Sequence, residues 1–153
     1  MKKTLLTLLC TINAIALAST YSAETHSAPL HVSLDQYINI QVALAADSLK
    51  GVPEAAAAIA VAAKDAKGVI PEAVVPQAEA LANANTIEAA REAFKPLSAS
   101  LIGVLARQNE KSGHFYEAFC PMANASWLQT DRKIANPYYG KDMLTCGEIR
   151  KEL

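Results

Sequence analysis

The chain has only 3 cysteines and 3 histidines, and neither set follows the spacings that hold common cofactors. No Cys-x-x-Cys-His run is present, so covalent haem attachment is excluded. A tetrahedral zinc centre needs four Cys or His ligands. Past residue 113 the chain supplies Cys120, Cys146 and His114, one short of that set. No basic stripe runs through the chain, and nucleic acid is excluded as a partner on that ground. Past the N-terminal run, no apolar stretch is long enough to cross a bilayer. Nor do Asp35, Asp47, Asp65 and the glutamates gather into a catalytic constellation; their spacing fits solvated helix faces. The sequence thus argues against an enzyme.

The N-terminus carries an address. Met1-Lys2-Lys3 is a basic start, Thr4 to Ala18 is an apolar run, and Ala16-Leu17-Ala18 is a small-x-small cleavage site. That pattern predicts a signal peptide over residues 1–18 and an exported, soluble, periplasmic product with no membrane insertion after cleavage. Cleavage removes two of the 14 basic side chains and none of the 15 acidic ones, so the net charge falls from −1 to −3. It also removes Cys10, leaving Cys120 and Cys146 in an oxidising compartment. Residues 19–29 read as a polar, flexible leader, and residues 30–153 as one domain.

Four helices are expected in that domain. Ser33-Leu34-Asp35-Gln36 has the form of a capping box, with Val32 and Tyr37 as its staple. Leu34, Ile38, Val42, Ala45 and Leu49 then recur at helical spacing before Lys50-Gly51. A second helix opens at Pro53-Glu54 and ends near Lys67-Gly68. The third is firm from Gln77 to Ala84, because Pro76 should break a helix begun at Pro71. A fourth, capped by Asn85, should be the longest, with Ile87, Ala90, Phe94, Leu97, Leu101 and Val104 as its seam. Pro96 within it should produce a kink. Alanine supplies 21 of the 64 residues from Ala43 to Ala106, which predicts slim, closely spaced helices. The expected fold class is all-α: an antiparallel up-and-down four-helix bundle with an irregular, Cys/Met-containing C-terminal cap.

That cap, residues 114–148, carries the chemistry. Cys120-Pro121-Met122 stands at one end and Met143-Leu144-Thr145-Cys146 at the other, two sulfur pairs in mirrored order. Thiolate and thioether donors select Cu(I) over harder divalent ions. The expected metal ligands are Cys120, Met122, Met143 and Cys146, with His114 as the nearest nitrogen donor. A second reading stands beside this one. Two cysteines in an exported chain also make a structural disulfide, and closing their 26-residue separation contributes about 3–4 kcal/mol by loop entropy. Methionine likewise serves as core filling. Trp127, Tyr138 and Tyr139 are expected to cover the site, and Asn124 and Asn136 to act as turn residues.

Cys120-Pro121-Met122-Ala123, Trp127-Leu128, Asn136-Pro137-Tyr138-Tyr139-Gly140 and Met143-Leu144-Thr145-Cys146-Gly147-Glu148 occur in that order. In these motifs the chain resembles a bacterial periplasmic domain family of unknown function, found alone behind a signal peptide or fused to the periplasmic adaptor subunits of copper and heavy-metal efflux pumps. The likeness is specific from Phe119 to Glu148. It implies metal handling, with copper as cargo and an efflux adaptor or another metal carrier as partner, and it implies no enzymatic activity. Together these features predict a periplasmic Cu(I)-binding protein serving as buffer or as carrier toward efflux. The rival is a structural or protein-interaction module stapled by Cys120–Cys146.

Overall fold

The computed structural model describes residues 21–107 and 115–153. The signal-peptide reading and His114 therefore lie outside the described residues. Four helices come first: α1 (Tyr21–Ala45), α2 (Val52–Asp65), α3 (Val74–Ala82) and α4 (Ile87–Arg107). Three strands follow, β1 (Tyr116–Cys120), β2 (Ala125–Gln129) and β3 (Glu148–Glu152), forming an antiparallel sheet in the order β2-β1-β3. The fold is therefore mixed α/β, and the all-α expectation is wrong. The region expected to be an irregular cap carries β1, β2 and the start of β3, with the stretch between β2 and β3 largely irregular. Each strand is only five residues long, and β3 reads Glu-Ile-Arg-Lys-Glu with only Ile149 partly shielded. Such a segment has no apolar alternation to announce it; its pairing with β1 makes it a strand.

Several helix boundaries also moved. α1 begins at Tyr21, so residues 21–29, expected as a leader, are its first turns. Ser33 is not a cap. Its hydroxyl lies inside the helix and donates to the Pro29 carbonyl one turn back, at 2.9 Å. The buried stripe of α1 is Leu30, Leu34, Tyr37, Ile40, Gln41 and Leu44, while Val42 is 58% exposed. Tyr37 turns the stripe away from the expected one because the largest side chain takes the core face. With 25 residues, α1 is also longer than α4 with 21. α3 starts at Val74, which places Pro76 in the first turn, where its missing N–H is no loss. The cap of α4 is Thr86, one residue beyond Asn85; its hydroxyl accepts the Ala89 N–H at 3.1 Å. The expected α4 seam is buried from Ala90 to Val104 and runs continuously through Pro96.

Consecutive helices pack on one another, but α1 and α4 meet only slightly. β2 packs against both and fills that side. Trp127 and Leu128, adjacent on β2, are fully buried. A row of rings crosses the join: Tyr37 stacks on Phe94 at 4.8 Å, Phe94 meets Tyr138 at 6.1 Å, and Tyr138 meets Trp127 edge-on at 5.9 Å. These pairs bind helices to sheet beyond their area burial. The Tyr37 hydroxyl sits 2.7 Å from Ser98 Oγ of α4 and accepts the Leu128 N–H of β2 at 3.0 Å. Burial pushes this phenol well above its ordinary titration range, so it remains neutral.

A second tie lies at the turn after α1. Arg91 of α4 donates Nε–H to the Pro137 carbonyl at 2.9 Å and Nη2–H to the Leu44 carbonyl at 3.1 Å. The same Nη2 reaches Asp47 Oδ1 at 2.5 Å, and the other Asp47 oxygen accepts the Lys141 N–H at 3.1 Å. Hydrogen bonds from Arg91 and Lys141 hold the Asp47 carboxyl below its ordinary value of 3.8. Gly140 has φ +55°, and a Cβ there would lie within 3 Å of the Asp47 and Arg91 side chains. The glycine is required both by its backbone and by this close approach.

Two outcomes follow from these ties. Tyr37→Phe keeps the ring but strands the Leu128 N–H, and urea unfolding should show a loss of about 1–3 kcal/mol. The depressed Asp47 carboxyl contributes stability that is present above its unfolded pKa and is lost as pH falls through the folded value. Acid unfolding of Asp47→Asn should therefore be less steep than that of the parent.

Candidate functional site

Cys120 and Cys146 meet at one end of the sheet. Cys120 is the last residue of β1, and the β1–β3 register pairs its neighbour Phe119 with Glu148. Cys146, two residues before β3, is thereby brought alongside, and the sulfurs lie 3.2 Å apart as free thiols. The approach depends on Gly147. Its φ is +146°, and a Cβ would stand 2.7 Å from the Trp127 ring and 3.0 Å from the Phe119 carbonyl. Only glycine lets the chain pass this closely over Trp127 before entering β3.

Each sulfur sits in a built turn. Residues 121–124 join β1 to β2, closed by the Cys120–Ala125 pair. Pro121 has the fixed φ suited to such a turn, and Asn124 adopts φ +47°, a conformation asparagine tolerates. The turn directs its backbone inward, and the Ala123 N–H donates to Cys120 Sγ at 3.5 Å. Around Cys146 the turn is tied by the Cys146 N–H to the Met143 carbonyl at 2.9 Å. Asn136 then links the two halves. Its N–H donates to the Leu144 carbonyl at 2.8 Å, its side-chain amide to the Cys146 carbonyl at 2.7 Å, and its side-chain oxygen accepts the Tyr138 N–H at 2.8 Å.

This surrounding makes the two thiols unlike. Cys120 is fully buried and Cys146 partly exposed. Burial by itself would raise Cys120. Hydrogen bonds from the Ala123 N–H, the Cys146 thiol, the Asn136 amide and the Met122 N–H outweigh it, and Cys120 lies below the ordinary thiol value of 9.0. Cys146 is raised, first by its hydrogen bond to Cys120, then by burial and by the charge on Cys120. Of the two, Cys120 is therefore the one that ionises more readily.

The remaining expected ligands are placed less closely. Met122 is 61% exposed at the tip of the hairpin turn, and Met143 is half-buried in the turn before Cys146. Among the described residues, no group of three or more His, Cys, Asp or Glu could hold a metal ion. The soft donors at this end of the sheet, among the described residues, are the two thiols and these thioethers. Trp127 lies beneath Gly147, Tyr138 donates its hydroxyl to the Ser126 carbonyl at 2.6 Å, and Tyr139 donates to the Met122 carbonyl at 3.3 Å. Asn136 was expected only as a turn residue; its contact with both cysteine segments had one visible sign, an asparagine before proline ten residues ahead of Cys146. Gln129 was not singled out. Buried on β2, it accepts the Trp127 Nε1–H at 2.9 Å and donates to the Asp131 and Lys133 carbonyls, shaping the loop that leads to Asn136.

Replacing Asn136 with alanine removes one of the donors to Cys120. The thiolate absorbance of reduced protein should then develop at higher pH than in the parent. An unchanged titration would show that the amide does not bias the pair.

Residues 33–113, just over half of the chain, match the family described as "Protein of unknown function (DUF3347)". The match spans the helices from Ser33 onward and ends before β1, so the Phe119–Glu148 motifs lie outside it. No curated protein and no solved structure matches the chain.

Proposed function

The chain belongs to the DUF3347 family, whose description names no function, and from the site itself we propose that it binds Cu(I) through Cys120 and Cys146. In this reading the protein is exported to the periplasm and acts as a copper buffer or as a carrier toward an efflux system. One observation carries it: two free thiol sulfurs 3.2 Å apart, one enclosed and one partly exposed. Soft thiolates select Cu(I), and a preformed pair spares the ion the cost of gathering its ligands. Met122 stands two residues after Cys120, and Met143 three residues before Cys146 in the turn that carries it. Thiolates sharing one ion sit farther apart than these thiols. At a metal–sulfur bond of about 2.3 Å and a tetrahedral angle, the sulfurs would be about 3.8 Å apart. Copper uptake in this reading requires the turn from Met143 to Gly147 to open, and none of its residues is buried.

The same separation favours a second reading, a Cys120–Cys146 disulfide that pins the start of β3 to the end of β1 in a structural or interaction module. Oxidation requires only that the two sulfurs close on each other.

The two readings part under substitution. Reduced parent protein should take up one Cu(I) per chain against a mild chelator, with affinity falling as pH drops, since protons compete for the sulfurs. Serine at either cysteine should abolish that uptake. Leucine at Met122 or Met143 preserves volume and should weaken uptake while leaving the unfolding midpoint nearly unchanged. A reduced parent that loses every copper to the chelator would leave the structural module standing alone.

A further inference from the structure

The two sulfurs differ in access, and this gives the pair a direction. Cys120 is fully buried, closed off by the 121–124 turn, by Asn136 and by Cys146 itself. Cys146 is partly exposed and lies 3.2 Å from Cys120. An external reagent thus meets Cys146 first and Cys120 only through Cys146. From this placement we infer that the protein is a substrate for directional thiol–disulfide exchange with soluble disulfides. Cys146 is the entry sulfur and Cys120 the resolving one. The inference concerns the same site as the copper reading but needs no metal.

The chemistry balances in two displacements. In the first, the Cys146 thiol gives up its proton and its sulfur attacks one sulfur of a small disulfide R–S–S–R. A Cys146–S–S–R bond forms, the S–S bond of the reagent breaks, and one R–S⁻ leaves with the electron pair. In the second, the Cys120 thiolate attacks Cys146 Sγ from the interior, forming the Cys120–Cys146 bond. The Cys146–S–R bond breaks and the second R–S⁻ departs toward solvent. Each R–S⁻ takes a proton released by one of the cysteines. The protein loses two electrons, and the small disulfide is reduced to two thiols. Displacement at sulfur needs the nucleophile opposite the leaving group; with Cys120 buried and Cys146 partly exposed, Cys120 attacks from the protein side and R leaves toward solvent. The reverse order would require R to enter the closed space around Cys120, where the Ala123 N–H and the Asn136 amide already contact the sulfur.

The test uses the full chain with Cys10→Ser, reduced, metal-free and with a chelator present, mixed with a bulky aromatic disulfide whose released thiol absorbs visible light. The parent should release two equivalents of aryl thiol and finish with no adduct mass. Cys120→Ser should release one equivalent and keep one adduct, located on Cys146. Cys146→Ser should stay unreacted until denaturant is added. Where Cys120→Ser fails to fold by circular dichroism, acid quenching of the parent at early times replaces it, and the transient adduct should map to Cys146. An adduct on Cys120, or a folded Cys146→Ser reacting as fast as the parent, would overturn the inference. Because no copper is present, these outcomes are independent of copper uptake, and either proposal can fail alone.

Discussion

The hydroxyl of Tyr37 is the contact on which the joining of helices and sheet depends. It belongs to α1, sits against Ser98 of α4 and receives the Leu128 N–H of β2. β2 is a sheet edge, and an edge leaves backbone donors without strand partners. A buried donor of this kind costs more than an ordinary hydrogen bond returns, so the strand can be covered by helices only if something inside satisfies it. A phenol reaching from the helix layer does so, while its ring extends the apolar contact to Phe94. One residue thus resolves a conflict between burying the strand and satisfying its backbone.

The alanine-rich helices make this tie necessary. Small side chains allow close approach but bury little area each. α1 and α4 are barely in contact, and the space between them is taken by the large residues of β2. Arg91 and Asp47 then bind the end of α1 to the turn at residues 137–141, while Gln41 donates to the Ala135 carbonyl at 2.7 Å. The segment between β2 and β3 has little regular structure, yet polar side chains from three directions hold it. Gln129 shapes its start, Arg91 its middle and Asn136 its end.

That anchoring sets the position of Cys146. Asn136 grips its carbonyl, and Gly147 permits the close pass over Trp127. Cys120 is placed independently, by strand pairing and by the hairpin turn. Two separately fixed segments therefore present their sulfurs to each other, one enclosed and one partly open. The asymmetry arises from this construction. Strand ends that belong to the core make a buried thiol, and a turn entering an edge strand makes an accessible one.

Much of the helical half was legible because its signals are local. The α4 seam of Ala90, Phe94, Leu97, Leu101 and Val104 follows from spacing, and the proline and glycine boundaries of α2 follow from backbone restriction. That Cys120 and Cys146 should come together was also legible, since residue type and mirrored neighbours mark them as a pair. The sheet was not. Glu148 to Glu152 has no strand-like pattern, and its conformation is decided by residues nearly thirty positions earlier. The face that Tyr37 presents, the change of Asn136 from turn residue to bracket, and the need for Gly140 beside Asp47 and Arg91 are likewise long-range results. Sequence alone determined which elements have helical periodicity and which side chains carry soft sulfur chemistry, because both are properties of neighbouring residues. Only the tertiary structure decided that the C-terminal third is a sheet, and that its two sulfurs stand in contact with one of them enclosed, because those properties depend on distant segments meeting.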